Sequence, residues 1–257
     1  MQNYFSKIKA LLVVVIMAAA LPAIADQADL DTEKTEYIKA FTSNNLDAIK
    51  AKARTLELTG HTDVAIFDPL EQKVLAHMGA NNKADLDAAA WMIRGLASSG
   101  NTKYLPTFNK VLEGGHKKLQ RHAKNAIQDL AEFASANAIV SAGLDKAPSG
   151  RLNHQRTLNM MASSNNVIVR DGVRRAYKDY SRGSMHDKQV MDQLNTMLLA
   201  GYKNERLDKN QLDALVVACK SLANTGNQDY AATINEVANN APNKKLRAHA
   251  TKIASKM

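Results

Sequence analysis

The stretch Leu86–Ile127 is written twice in this chain. Leu86-Asp87-Ala88 returns as Leu212-Asp213-Ala214, Leu96-Ala97 as Leu222-Ala223, and Gly100-Asn101 as Gly226-Asn227. Tyr104, Thr107, Asn109 and Val111 return as Tyr230, Thr233, Asn235 and Val237, so every pair is 126 residues apart. After a one-residue insertion, Lys117-Lys118-Leu119 matches Lys244-Lys245-Leu246, and His122-Ala123 matches His249-Ala250. So many matches at one offset indicate duplication. A duplicated helical unit cannot bury its apolar side alone, so the units are expected to stack into an array.

The rest of the chain reads as helix. Leu30–Thr42, Leu46–Thr59 and Asp63–His77 carry apolar residues at spacings of three and four. Pro69 is expected to interrupt the third of these, with the helix restarting there. In Asp85–Ser99, Leu86, Ala89, Ala90, Ile93, Leu96 and Ala97 fall on one side. Thr102–Leu112 is read as its partner, and His116–Phe133 opens the next pair. Leu152–Ser163, Val167–Ser181, His186–Tyr202, Lys209–Asn224, Gln228–Asn240 and Pro242–Lys256 follow. Turn residues collect at Gly143–Gly150, the expected hinge or irregular linker. Five prolines and twelve glycines are too few for the turns of an all-β fold.

The first residues look like a removable leader. Lys7 and Lys9 precede the apolar run Leu11–Leu21, and Ala23-Ile24-Ala25 fits a small-residue cleavage site. Residues 1–25 are therefore expected to be removed on export, leaving a periplasmic or secreted chain with no later membrane span. Residues 26–142 and 151–257 form the expected N- and C-terminal sets of helix pairs. The net charge of +9 falls to +7 without Lys7 and Lys9. A basic exported protein suggests an acidic protein or peptide partner rather than nucleic acid. The single cysteine, Cys219, excludes an intrachain disulfide.

Helix pairs recurring roughly every 40 residues have the period of HEAT and armadillo arrays. The unit Leu86 to Asn101 followed by Tyr104-Leu105-Pro106-Thr107-Phe108 resembles a HEAT repeat, with an Ala-rich first helix, a Gly turn, and an apolar-Pro-x-apolar opening to the second helix. Leu119–Ala123, Leu246–Ala250 and Val169–Val173 resemble the start of the family's first helix. The resemblance implies an α-solenoid of about a dozen helices in antiparallel pairs, without a sheet. It says little about function.

The chemistry-bearing residues form few patterns. Cys219 aligns with Ile93 on the apolar stripe and reads as a small core residue. The histidines lack metal-ligand spacing, and no metal or cofactor site is expected. His122 and His249 recur at one repeat position, which suits a structural ladder between neighbouring repeats. No nucleophile elbow, phosphate loop or calcium loop occurs, so no catalytic residue is assigned. Two features stand out as partner-binding candidates. Arg170, Arg174, Lys178 and Arg182 are four apart on one helix and form a basic stripe, beside a row of Asp171, Arg175 and Asp179 expected to pair among themselves. Trp91, the only tryptophan, lies about 140° from the centre of its helix's apolar side. It is expected to pack against a neighbouring repeat or to bind a partner.

The resulting expectation is an exported, non-catalytic protein-binding scaffold. Its binding residues are expected on the second helices, Thr102–Leu112, His186–Tyr202 and Gln228–Asn240, which line the concave side of such arrays. The competing readings are an enzyme or lyase with a helical-repeat body, and an envelope protein that touches anionic lipid or polymer.

Overall fold

The computed structural model describes residues 23–181 and 187–257, with side chains from Gln27 onward. The expected leader, residues 1–25, lies outside the described residues except for its last three, whose backbone begins the first helix. The protein is all-α. Twelve α-helices and no strand occur among the described residues: α1 (Ala23–Thr42), α2 (Leu46–Ala53), α3 (Val64–His77), α4 (Lys83–Ala97), α5 (Leu105–Gly114), α6 (Lys117–Val140), α7 (Leu152–Met161), α8 (Asn166–Tyr180), α9 (Lys188–Gly201), α10 (Lys209–Ala223), α11 (Gln228–Asn240) and α12 (Lys244–Ala254).

The many asparagines mark where helices begin. The side chains of Asn45, Asn82, Asn165, Asn227 and Asn243 each accept a hydrogen bond from a backbone N–H of the first turn that follows. Those N–H groups have no partner inside the helix, so such a cap stabilises it by about 1 kcal/mol. Asp63, Asp187 and Asp208 cap α3, α9 and α10 in the same way.

Two elements differ from expectation. Pro69 does not interrupt α3, which runs unbroken from Val64 to His77. Proline removes one helical hydrogen bond, but Ile66, Phe67, Leu70 and Val74 bury on both sides of it and hold the helix together. α6 continues past Phe133 to Val140. The polar residue that weakens the pattern there, Asn137, is buried. Its Nδ2 donates to the Ser98 and Ser99 carbonyls at 2.8 and 3.1 Å, closing the end of α4.

Consecutive helices pack closely as α3 on α4, α5 on α6, α7 on α8, α9 on α10 and α11 on α12, rather than α4 on α5 as the turn pattern implies. Even-numbered helices also pack on one another, α2–α4–α6 and α8–α10–α12, and the odd-numbered helices on theirs, α1–α3–α5 and α7–α9–α11. The duplicated residues make matching contacts. In the even layer Asp87 pairs with Lys50 of α2 at 2.6 Å, and Asp213 pairs with Arg174 of α8 at 2.8 Å. In the odd layer Tyr104 donates to Asp68 at 2.8 Å, and Tyr230 to Asp192 at 2.6 Å. Burial and the facing carboxylates push both phenols above their ordinary range. Ile93 and Cys219 are both fully buried.

Two large apolar clusters result, one drawn from Tyr37 to Leu130 and one from Met161 to Ala250. Between them Ala136, Val140, Met160 and Ile168 make a small third cluster. The joint is otherwise polar and is closed by α1. Glu33 of α1 accepts two hydrogen bonds from Arg156 of α7, at 3.1 and 2.6 Å, and lies 3.1 Å from His61 Nε2. Arg156 is 1% exposed. Arg175 of α8 reaches the Leu58 carbonyl at 3.3 Å, in a turn where Leu58 adopts φ +59°. The expected hinge segment forms a 3₁₀ turn, Leu144–Lys146, and is pinned to α1: Gly150 N donates to Asp29 at 2.6 Å, and Leu144 and Ala147 bury beside Leu30.

Burial alone would raise the Glu33 carboxyl, but the adjacent His61 ring and the hydrogen-bonded Arg156 outweigh it and hold the group at about 2, against an ordinary value of 4.5. Because the folded value is depressed, the stabilisation is complete above about pH 4.5 and is lost as pH falls towards 2. Glu33→Gln is therefore expected to destabilise the fold by about 3 kcal/mol at neutral pH. In urea titrations, the gap to the native chain should narrow as pH drops through that window. A gap independent of pH would contradict this assignment.

Candidate functional site: a basic groove across three helices

α8 is held so that its basic side faces out. Ile168, Gly172, Val173 and Ala176 form its buried side. A Cβ at Gly172 would stand 2.6 Å from the Met160 Cβ, so the glycine is what lets α7 press against α8. Of the sequence-derived stripe, Arg170 is half-buried. Its Nε and Nη2 donate to Asp171, at 2.8 and 2.7 Å, and its Nη1 to Asn210 at 2.8 Å. Arg174 is 55% exposed and bonded to Asp213. Lys178 is exposed. Arg182 lies outside the described residues. The adjacent row does not pair as expected. Asp171 turns to Arg170, while Arg175 is half-buried in the joint, where desolvation and Arg156 lower its affinity for the proton.

Two open cavities lie along the surface of α8, α10 and α12, with Lys220 and His249 lining both. The smaller, about 490 Å³, is lined by Arg170, Arg174, Lys209, Asn210 and Asp213 among others. The larger, about 800 Å³, adds Tyr177, Lys252 and Lys256, with Ala223, Ala231, Ile253 and Ala254 as apolar lining, and Gln228, Ala231 and Asn235 of α11 form one of its sides. Among the described residues Asp213 is the one acidic side chain lining either cavity, against Arg170, Arg174, Lys209, Lys220, Lys252 and Lys256. Together they make a basic groove that crosses the even layer and reaches α11.

The first copy of the duplication shows what sets this groove apart. A cavity of about 300 Å³ at the matching place is lined by Arg94, Ala97, His122, Asn125 and Asp129, with Glu57 and Phe133. At the 126- and 127-residue offsets Arg94 corresponds to Lys220, His122 to His249, Asn125 to Lys252 and Asp129 to Lys256. The pattern is kept, but a neutral and an acidic position have become lysines. His122 is held neutral more firmly than an ordinary histidine by burial, Arg121 and Arg94. The expected histidine ladder is not formed. The inter-helix rungs are Asp87 and Asp213, while His122 and His249 line cavities.

Trp91 stands apart from the groove, half-buried on the surface of α4. The guanidinium groups of Arg54 and Arg94 lie 4.9 and 4.5 Å from its ring centre, and its ring packs on the N-terminal core. Of the second helices expected to bind, α11 lines the larger cavity through Gln228, Ala231 and Asn235, while several polar side chains of these helices bond to neighbouring helices. Tyr104 and Thr107 bond to Asp68 and Glu71, Tyr230 to Asp192, and Tyr202 to Glu236 at 2.7 Å. The sequence gives no sign that Lys220, Lys252 and Lys256 join Arg170 and Arg174, nor that His249, read as a ladder residue, does so, because they sit on α10 and on or just after α12, remote in the chain. The duplication offset alone relates them to the first copy. Cys219 is fully buried and its thiol is pushed up to about 12 by desolvation, as its place on the core stripe implies. Among the described residues no three His, Cys, Asp or Glu side chains are placed to hold a metal ion.

The repeated turn offers a test of how open the second copy is. Gly100 and Gly226 have φ +65° and +67°. A Cβ at Gly100 would meet the α6 backbone, Ala134 N at 2.4 Å, whereas one at Gly226 meets nothing within 4 Å. Gly226→Ala should cost about 1–2 kcal/mol, the left-handed backbone penalty alone. Gly100→Ala should cost clearly more, as read by thermal denaturation. Equal losses would mean that the second turn is covered like the first.

No protein-family model matches the chain, and no curated protein matches it significantly.

Proposed function

We propose that this protein is an exported, non-catalytic scaffold of HEAT-like helix pairs that binds an acidic segment of a partner protein in the groove across α8, α10 and α12. The observation that carries this reading is the charge of that groove: six lysine and arginine side chains and one histidine line it, against the single carboxylate of Asp213. Cations gathered in a concavity attract an anionic partner over a range of about 8 Å at physiological ionic strength and favour its encounter. Lys220 lines both cavities, and Arg174 lines the smaller one beside the Asp213 rung, so a segment that crosses the groove meets both. Stacked helix pairs present broad continuous surfaces of this kind, which suits a binding role. The leader-like start of the sequence supports action outside the cytosol and turns the choice away from nucleic acid.

The test is affinity capture from an envelope extract on three baits: the mature chain, Arg174→Glu with Lys220→Glu, and Lys110→Glu with Lys117→Glu. The last pair makes the same charge change on exposed positions away from the groove. One protein should be retained by the first and third baits, lost from the second, and released by high salt. Retention by all three would remove the groove from the account. Retention of anionic lipid in place of protein would favour the envelope-surface reading.

A further inference from the structure

The two lobes of the groove differ in size and in the side chains that line them. The smaller lobe gathers Arg170, Arg174 and Lys209 around Asn210, with Leu212 and Val216 as its apolar lining. The wide lobe is basic at its rim, through Lys220 and Lys252, while Ala223, Ala231 and Ile253 give it an apolar lining with room to spare. Short alanine side chains leave a space that a larger apolar group can enter, and none of these three is fully buried by the protein itself.

We infer that the groove reads an extended acidic peptide segment carrying one large apolar side chain, with the carboxylates over Arg170, Arg174 and Lys209 and the apolar side chain seated in the lobe lined by Ala223, Ala231 and Ile253. This rests on the scaffold reading above and specifies its ligand. Three packed helices at about 8–10 Å spacing set the two outer axes roughly 20 Å apart. An extended chain rises about 3.3 Å per residue, so about six residues cross the groove. A single small carboxylic acid would fill neither the 490 Å³ nor the 800 Å³ lobe. Carboxylates supply orientation and salt-sensitive attraction, and the apolar side chain supplies affinity that salt does not screen.

The test uses fluorescein-labelled octapeptides and the mature protein in anisotropy titrations. One peptide carries consecutive glutamates followed by a phenylalanine; a second has serine for the phenylalanine, and a third has glutamines for the glutamates. The glutamate–phenylalanine peptide should bind. Serine should cost about tenfold, the equivalent of partial burial of an aromatic ring. Glutamine should cost at least about as much and abolish the salt dependence. Asn235→Trp places an indole in the wide lobe from an exposed position, so it should remove the phenylalanine advantage and leave the salt dependence intact. Arg174→Glu should do the reverse.

Equal binding of the serine and phenylalanine peptides overturns the apolar seat. If no peptide binds while capture of an envelope protein still depends on Arg174 and Lys220, this inference falls and the scaffold reading stands. If phosphatidylglycerol vesicles bind through Arg174 and no peptide does, the occupant is a lipid surface and the inference falls. If capture is also indifferent to those residues, the scaffold reading itself falls.

Discussion

The salt bridge between Glu33 and Arg156 joins residues 123 apart in sequence and closes the joint between the two apolar clusters. Arg156 is almost completely removed from water, and Arg175 is half-buried nearby; Arg156 Nε and Arg175 Nη1 have no hydrogen-bond partner. One buried and one half-buried guanidinium group against one carboxylate would repel if that carboxylate were absent. Glu33 is therefore what allows α7 and α8 to sit against α1 and the Leu58 turn. Because α7 positions α8 through the close approach at Gly172, the orientation of the basic side of α8 traces back to this buried pair. The small apolar cluster at the joint could not hold it alone, having only Ala136, Val140, Met160 and Ile168 at its centre.

Duplication explains the layout, and divergence within it explains the groove. Both copies keep the residues that pack and brace helices: Ile93 and Cys219 in the core, Asp87 and Asp213 as rungs, Tyr104 and Tyr230 bonded to carboxylates of the preceding odd-layer helix. They part at positions facing solvent in the concavity. Asn125 and Asp129 of the first copy stand where Lys252 and Lys256 stand in the second, and Glu57 closes the first cavity with another negative charge. Trp91, held beneath Arg54 and Arg94, has Val217 as its counterpart. The positions that pack the helices agree between the copies, and the positions that line the cavities differ.

The all-α class was legible because apolar residues recur at spacings of three and four in segment after segment, while proline and glycine are few. What escaped the sequence depends on long-range packing. The continuity of α3 through Pro69 depends on burial of Ile66 and Leu70 on either side, and the extension of α6 depends on Asn137 finding the open end of α4. Arg175 looked like a surface partner of Asp171 and Asp179, yet α8 turns it into the joint. Of the groove, Arg170 and Arg174 were visible as a four-residue periodicity. Lys220, His249, Lys252 and Lys256 were not, since helices far apart in the chain bring them to one surface. Of the second helices expected to bind, α11 reaches the groove through Ala231 and Asn235, while Tyr202 and Tyr230 bond across to neighbouring helices of the same layer.

The central claim is that charge acquired by the second copy makes the binding groove. Lys252→Asn with Lys256→Asp restores the residues of the first copy at two exposed positions. Isothermal titration of this variant against the captured partner is the most direct measurement. The account predicts an unchanged melting temperature and a loss of affinity of about tenfold or more, with a shallower salt dependence. Unchanged affinity and salt dependence would contradict it.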